Sequence, residues 1–128
     1  MRRLLLLAAV LFGVVVAAPA SRAQPNEALI AQALVGVWDW QDQMNGVPVY
    51  NRLTLTGSGT YVYTSAMQTY QVTSSGAWLY QGGYLMFRTT SSTSLDPTGR
   101  PVGLGPIQIL DVGPNYVRTP AGTVHRAG

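Results

Sequence analysis

The chain has 128 residues, no cysteine, and eight basic residues, all arginine, against five acidic ones, for a formal net charge of +3. Without cysteine it can form neither a disulfide framework nor a thiolate metal site. Arg2, Arg3 and Arg22 lie near the start, and the remaining charges balance without forming a basic stripe, so we expect no nucleic-acid partner.

Residues 1–23 have the pattern of a cleavable secretory signal peptide. A positive start precedes an apolar run from Leu4 to Ala18, shorter than the roughly 20 residues that a membrane-spanning helix needs. Ser21-Arg22-Ala23 offers the small residues that signal peptidase accepts, which predicts cleavage before Gln24. We expect a periplasmic or secreted protein with no stable membrane insertion after cleavage. A cut after Ala20 and a retained N-terminal anchor are the alternatives.

Residues 24–128 suit a single small domain. Since no disulfide can stabilise it, the fold must close through hydrophobic burial and strand pairing, which favours a barrel over an open sheet. Pro25 to Leu34 is predicted to form a short N-terminal helix, with Glu27 in its first turn and Gly36 as its stop.

After this helix the sequence is rich in Val, Thr, Tyr, Trp and Gly, with turn signals about every 8 to 12 residues. Asn45-Gly46 and Gln81-Gly82-Gly83 are clear hairpin signals. This pattern predicts an all-β fold, a small antiparallel meander barrel of six to nine strands. The strands are expected, with one or two mergers, near 37–41, 47–55, 60–65, 69–73, 76–80, 84–90, 106–110, 115–119 and 122–126.

Alternation of apolar and polar residues assigns the two faces of the strands. Leu53 and Leu55 point to one side, and Arg52 and Thr54 point to the other. Several strands are apolar on both faces, which predicts a covered outer wall, a dimer face or a ligand rim. The helix over Pro25 to Leu34 is a candidate cover.

Leu34-Val35-Gly36-Val37-Trp38 resembles the Gly-x-Trp signature on the first strand of lipocalin-like (calycin) barrels. Ser75-Gly76-Ala77-Trp78 and the terminal Thr123-Val124-His125-Arg126 are similar to segments of small bacterial lipocalin-like domains. The resemblance implies that a late-strand arginine stacks on Trp38 at the closed end of the barrel. Arg126, or otherwise Arg118, is the candidate, and Gly36, Trp38 and Arg126 would form a structural signature held by a cation–π contact.

A second resemblance is to periplasmic inhibitors of secreted metalloproteases, which are of similar size and carry a Gly-x-Trp near the start of a small barrel. That family typically has a disulfide, which this chain cannot form. The lipocalin-like resemblance is therefore preferred.

The inventory of catalytic groups is short. His125 is the single histidine, and Asp39 and Asp42 flank Trp40 at a spacing that places them on opposite faces of a strand. No nucleophile elbow, zinc-protease motif or phosphate loop is present. We therefore expect no enzymatic activity, no cofactor and no metal site.

Aromatic side chains are the remaining chemistry, and they either fill the barrel or bind a molecule. The first hypothesis is binding of a small apolar or aromatic ligand at the barrel mouth, beneath the long polar loop from Ser91 to Gly105. Trp40, Tyr61, Tyr63 and Trp78 are its candidate ligand-binding residues. The alternative is a periplasmic protein-interaction module, such as a protease inhibitor or envelope assembly factor, acting through a protein partner or a homodimer.

Overall fold

The computed structural model describes residues 25–127, so the predicted signal peptide at residues 1–23 lies outside the described residues. Antiparallel strands form a curled half-barrel, which confirms the predicted all-β fold with a short N-terminal helix. The elements in chain order are α1 (Pro25–Leu34), β1 (Gly36–Met44), β2 (Val47–Leu55), β3 (Thr60–Met67), β4 (Tyr70–Gln81), β5 (Tyr84–Ser92), β6 (Ile107–Gln108), β7 (Asp111–Val112), β8 (Tyr116–Thr119) and β9 (Gly122–Arg126).

The helix α1 lies across one end of the half-barrel. It ends before Gly36, whose φ of +145° favours glycine, and its last residue, Leu34, is buried in the core. Near its start, the Glu27 carboxylate accepts a hydrogen bond of 2.8 Å from the backbone N–H of Gly82, in the β4–β5 turn. The helix therefore closes one end of the half-barrel. It does not cover the outer wall, which was the role that the apolar outer faces predicted for it.

The strand order is β6-β5-β4-β3-β2-β1-β9-β8-β7, a meander in which β9 returns beside β1. Only Ile109 and Leu110 separate β6 and β7, which stand at opposite ends of this order. The backbone N–H of Ile109 donates to the carbonyl of Gly83 at 2.9 Å, and that of Leu110 donates to the carbonyl of Arg118 at 2.8 Å. One short segment thus contacts both edges, and the sheet has to curl.

Two hairpins have the turn geometry that the sequence predicts. Asn45 and Gly46 have φ of 52° and 80°, and Gly82 and Gly83 have φ of 60° and 85°. Positive φ at both central residues is the requirement of a type I′ turn, whose twist matches that of the flanking strands. These turns fix the registers of β1 with β2 and of β4 with β5.

One of the expected mergers of neighbouring strands occurs, and one predicted strand is divided. The strands expected at 69–73 and 76–80 form the single strand β4, which continues through a register shift between Ser75 and Gly76. Since Gly76 has no side chain, the Arg88 carbonyl can approach its Cα closely. The strand expected at 106–110 is divided into β6 and β7 because the chain changes its pairing partner there.

The long polar loop runs beside β5. Continuing the Leu85↔Ile107 register would place Gly103 opposite Thr89, and a Cβ on Gly103 would indeed collide with the Thr89 side chain. Pro101 and Pro106 have no N–H to donate, so this stretch cannot extend the β6 ladder along β5. The loop therefore lies along β5 beyond β6 without forming a regular strand there.

The core lies inside the curl. On β2, Leu53 and Leu55 are buried, at 3% and 1% exposure, whereas Arg52, which points to the other face, is exposed. The predicted alternation of faces is therefore confirmed for β2. The buried apolar cluster comprises Leu34, Trp38, Leu53, Leu55, Tyr61, Leu85, Ile109 and Val117.

A cation–π contact joins β1 and β9, the first and last strands, at the closed end of the half-barrel. The guanidinium carbon of Arg126 lies 4.3 Å from the centre of the Trp38 ring, and the two residues are paired across β1 and β9. The guanidinium donates to the carbonyls of Val35 and Ala33 at 2.9 and 3.0 Å and to that of Pro114 at 2.9 Å.

The Trp38 indole N–H adds to this arrangement by donating to the Leu34 carbonyl at 2.8 Å. Together these bonds satisfy carbonyls at the end of α1, which has no later turn to accept them. A Cβ on Gly36 would collide with the guanidinium of Arg126. Glycine at this position is thus a packing requirement, and the cluster of Gly36, Trp38 and Arg126 is hereafter the closing cluster.

Replacing Arg126 by glutamine is expected to lower the free energy of unfolding by about 2–4 kcal/mol. Three carbonyls lose charged donors and Trp38 loses the cation on its face. Urea unfolding followed by tryptophan fluorescence measures the change. Arg118→Gln is the matched control, since Arg118 is exposed and its Nη2 lies 3.9 Å from Oδ2 of Asp111. This variant should lower the free energy of unfolding by less than about 0.5 kcal/mol. Equal losses in the two variants would contradict the role of the closing cluster.

Candidate functional site

A cavity of about 250 Å³ lies inside the half-barrel, between β1–β2 and β8–β9. Its inner end is formed by buried apolar side chains, among them Leu34, Trp38 and Val117. Its outer end is formed by residues of β1 and the β8–β9 turn, including Asp42, Ala121 and Gly122, which are exposed. The cavity therefore runs from the core to solvent, at the end of the half-barrel opposite α1.

Four side chains form a hydrogen-bonded group at this open end, which we call the rim cluster: Trp40, Asp42, Asn51 and Tyr63. The Trp40 indole N–H and the Asn51 amide each donate to Oδ2 of Asp42 at 3.2 Å. The Tyr63 hydroxyl donates to Oδ1 of Asn51 at 2.6 Å. The rings of Trp40 and Tyr63 are stacked, with centroids 6.0 Å apart and planes at 22°.

The strand pattern explains why these polar groups face inward. Asp42 lies two and four positions after Trp40 and Trp38 on β1, so all three share one face. Asn51 is the direct partner of Trp40 across the β1–β2 pair and is 5% exposed. Its amide and carbonyl both have partners, which is the condition for burying such a group.

The charges of the rim are unevenly distributed. Asp42 is the single ionisable residue among those that line the cavity in the described part of the chain. Asp39, on the outer face, instead binds Arg52 through two bonds of 2.8 Å. The hydrogen bond from Arg52 lowers the pKa of Asp39. Burial, and to a smaller extent the charge of Asp42, raises the pKa of Tyr63.

Of the four predicted ligand-binding residues, one lines the cavity and a second packs against it. Trp40 lines the cavity itself, and the ring of Tyr63, on β3, stacks on the ring of Trp40. Their shared location follows from the β1, β2 and β3 registers, which align Trp40, Asn51 and nearby Tyr63 on the inner face.

Tyr61 and Trp78 lie elsewhere in the core and do not line this cavity. Tyr61 is 1% exposed, meets Phe87 edge to face at 4.9 Å, and shares a hydrogen bond of 2.5 Å with the Thr89 hydroxyl. The Trp78 indole donates to the Thr56 carbonyl at 3.0 Å. No residue of the loop from Ser91 to Gly105 lines the cavity, which opens beside the β8–β9 turn and not beneath the loop.

Sequence reasoning missed the contribution of Asn51 and of the β8–β9 turn. A polar residue at an inner position of β2, between Val49 and Leu53, was the available signal for Asn51. The turn over residues 119–122 could not be assigned to the cavity, because its position depends on β9 pairing with β1, far away in the sequence.

The sequence's candidate catalytic residues are dispersed. Asp39 and Asp42 occupy opposite faces of β1, one bonded to Arg52 and the other to Trp40. His125 is exposed on β9, across from Asp39 on the outer face. Among residues 25–127, no three His, Asp or Glu side chains come together in a way that could hold a metal ion.

No helix within the described residues is long and apolar enough to cross a membrane.

Comparison of the sequence with models of known protein families and with curated proteins gives no match.

The Tyr63 phenol is expected to titrate above its ordinary value near 10, because burial raises its pKa. The unfolded chain then loses this proton first, so the free energy of unfolding should fall as pH rises beyond about 10. Tyr63→Phe removes this contribution. Ultraviolet titration of tyrosinate in wild type and Tyr63→Phe gives the Tyr63 curve by difference, and a midpoint at or below 10 would contradict the assignment.

Proposed function

We propose that this chain is an exported, non-enzymatic half-barrel protein that binds a small apolar or aromatic molecule. The observation that supports it most is the apolar cavity of about 250 Å³ that reaches from the core to the rim cluster. An apolar pocket with a few convergent polar groups is the usual form of a small-molecule site.

The size of the cavity limits the ligand. An apolar cavity of about 150 Å³ in another protein accommodates benzene, whereas drug-sized molecules use pockets from about 300 Å³ upward. The ligand is therefore one or two rings, or an aliphatic equivalent, with its apolar part toward Leu55 and Val117.

The closing cluster supports the lipocalin-like assignment at the finer level. Gly36, Trp38 and Arg126 have the arrangement that the resemblance implies, with the guanidinium of Arg126 over the Trp38 ring. Export to the periplasm or the medium is proposed from the signal-like sequence of residues 1–23. The dispersal of Asp39, Asp42 and His125 favours a protein without catalytic activity.

Binding is tested with a panel of one- and two-ring apolar compounds, read by thermal unfolding and tryptophan fluorescence. A ligand that binds the folded state raises Tm with its concentration. Ala121→Trp places a large ring at the cavity mouth and should abolish these shifts. Ala28→Trp, on the exposed surface of α1, is the matched control and should retain them. If no compound shifts the wild type, the proposal is wrong.

The alternative is a protein-interaction module, favoured by an apolar strip on the outer face of β4 and β5. Leu79 and Met86 are direct cross-strand partners, and Tyr84 lies two positions before Met86 on the same face of β5. Their side chains are 51%, 39% and 42% exposed among the described residues. Isolated exposed apolar residues are ordinary, but a contiguous strip marks many interfaces.

Leu79→Lys tests this alternative. If the strip holds a second copy or a partner, sedimentation of the wild type shows an assembly that Leu79→Lys disrupts, because a charge would be desolvated in the contact. Thr54→Lys, on the outer face of β2, is the control. A wild type that sediments as a monomer and recovers no stoichiometric partner would rule the alternative out.

A further inference from the structure

We infer that the ligand carries a positive charge: the site binds an apolar amine or quaternary ammonium compound, with its cation at the rim cluster and its apolar part in the cavity. This inference rests on the proposed binding function and adds the chemical class of the ligand. It is carried by the placement of Asp42 and by the aromatic pair beside it.

Asp42 is the charge that selects the ligand. It lines the cavity, and in the described residues it forms no ion pair, whereas Asp39 and Asp111 lie close to Arg52 and Arg118. Both of its hydrogen bonds end on Oδ2, and Oδ1 accepts none from the described residues. One oxygen thus stays available at the mouth for a charged donor from the ligand.

The two donors to Asp42 also hold the carboxylate in place. The Trp40 indole fixes it from β1 and the Asn51 amide fixes it from β2, while Tyr63 fixes Asn51 in turn. A carboxylate positioned before the ligand arrives loses less side-chain entropy on binding. An anionic ligand, in contrast, would meet this fixed negative charge and be repelled.

The aromatic pair provides the second part of cation recognition. Trp40 and Tyr63 stack at 6.0 Å next to the carboxylate. Trp40 lines the cavity, and Tyr63 supports its ring by stacking. Indole faces attract ammonium groups, and aromatic side chains are the usual surroundings of quaternary ammonium ligands. Arg126 already occupies the face of Trp38 at the closed end, so the free aromatic surface of the cavity lies at the rim.

The remaining lining defines the rest of the molecule. Inward from the rim the walls are the side chains of Leu53, Leu85, Ile109 and Val124, which offer dispersion and no hydrogen bonds. The ligand is therefore amphipathic in one direction, with a single cationic head and an apolar body of one or two rings.

The test uses two probes of the same shape, phenyltrimethylammonium and tert-butylbenzene, which differ in one permanent charge. Titration of the wild-type protein at low salt, read by tryptophan fluorescence, should give at least about tenfold tighter binding for the cation. Added salt should weaken the binding of the cation and leave that of the neutral probe unchanged.

Asp42→Asn keeps an acceptor for the Trp40 indole and removes the charge. It should abolish the preference for the cation and leave the affinity for tert-butylbenzene within about twofold. Asp111→Asn removes the same charge from the outer face, beside Arg118, and should retain the preference.

The outcomes separate the two proposals. Equal binding of both probes to the wild type overturns the charge assignment and leaves the binding function standing. A preference that survives in Asp42→Asn overturns the role of Asp42. Failure of both probes to bind the wild type overturns the binding function together with the inference drawn from it.

Discussion

The contact between Arg126 and Trp38 holds the half-barrel together at its closed end. A chain without disulfides has to join its first and last strands through packing and strand pairing, and this contact lies where β9 pairs with β1. The same guanidinium binds carbonyls at the end of α1 and at Pro114. A single side chain therefore fixes the helix, both terminal strands and the β7–β8 turn. Carbonyl dipoles and an aromatic face stabilise its positive charge, and no carboxylate of the described residues pairs with it.

Closure at one end leaves the other end free to hold a cavity. Large side chains fill the interior near α1, where Leu34, Leu55 and Tyr61 are almost fully buried. Toward the β8–β9 turn the inner positions carry small or polar residues such as Asp42 and Gly122, and space remains between the walls. The cavity is thus a consequence of how side-chain volume is distributed along the strands. Hydrogen bonds between its members hold the side chains of the rim cluster in place at this open end.

Local signals predicted the fold well, and distant pairings limited the prediction of the site. The helix, the type I′ turns and the inner face of β2 depend on residues close in the sequence, and all were read correctly. Trp40, one of the candidate lining residues, lies in the wall of the cavity. The merger at Gly76 depends on a close approach by Arg88, and the β8–β9 wall of the cavity depends on β9 reaching β1. Neither contact leaves a local pattern in the sequence. Because the position of the β8–β9 wall was unknown, Tyr61 and Trp78 could not be distinguished from aromatic residues that line the cavity.

The proposed binding site holds one small molecule in the open end of the half-barrel. Native mass spectrometry of the protein purified gently from its natural source tests this binding, since a non-covalent ligand survives as an added mass. Binding predicts a discrete adduct of one molecule per chain, which dissociates at moderate collision energy and contains a basic or quaternary nitrogen. Spectra that show only the bare chain, or only complexes with another protein, would contradict it.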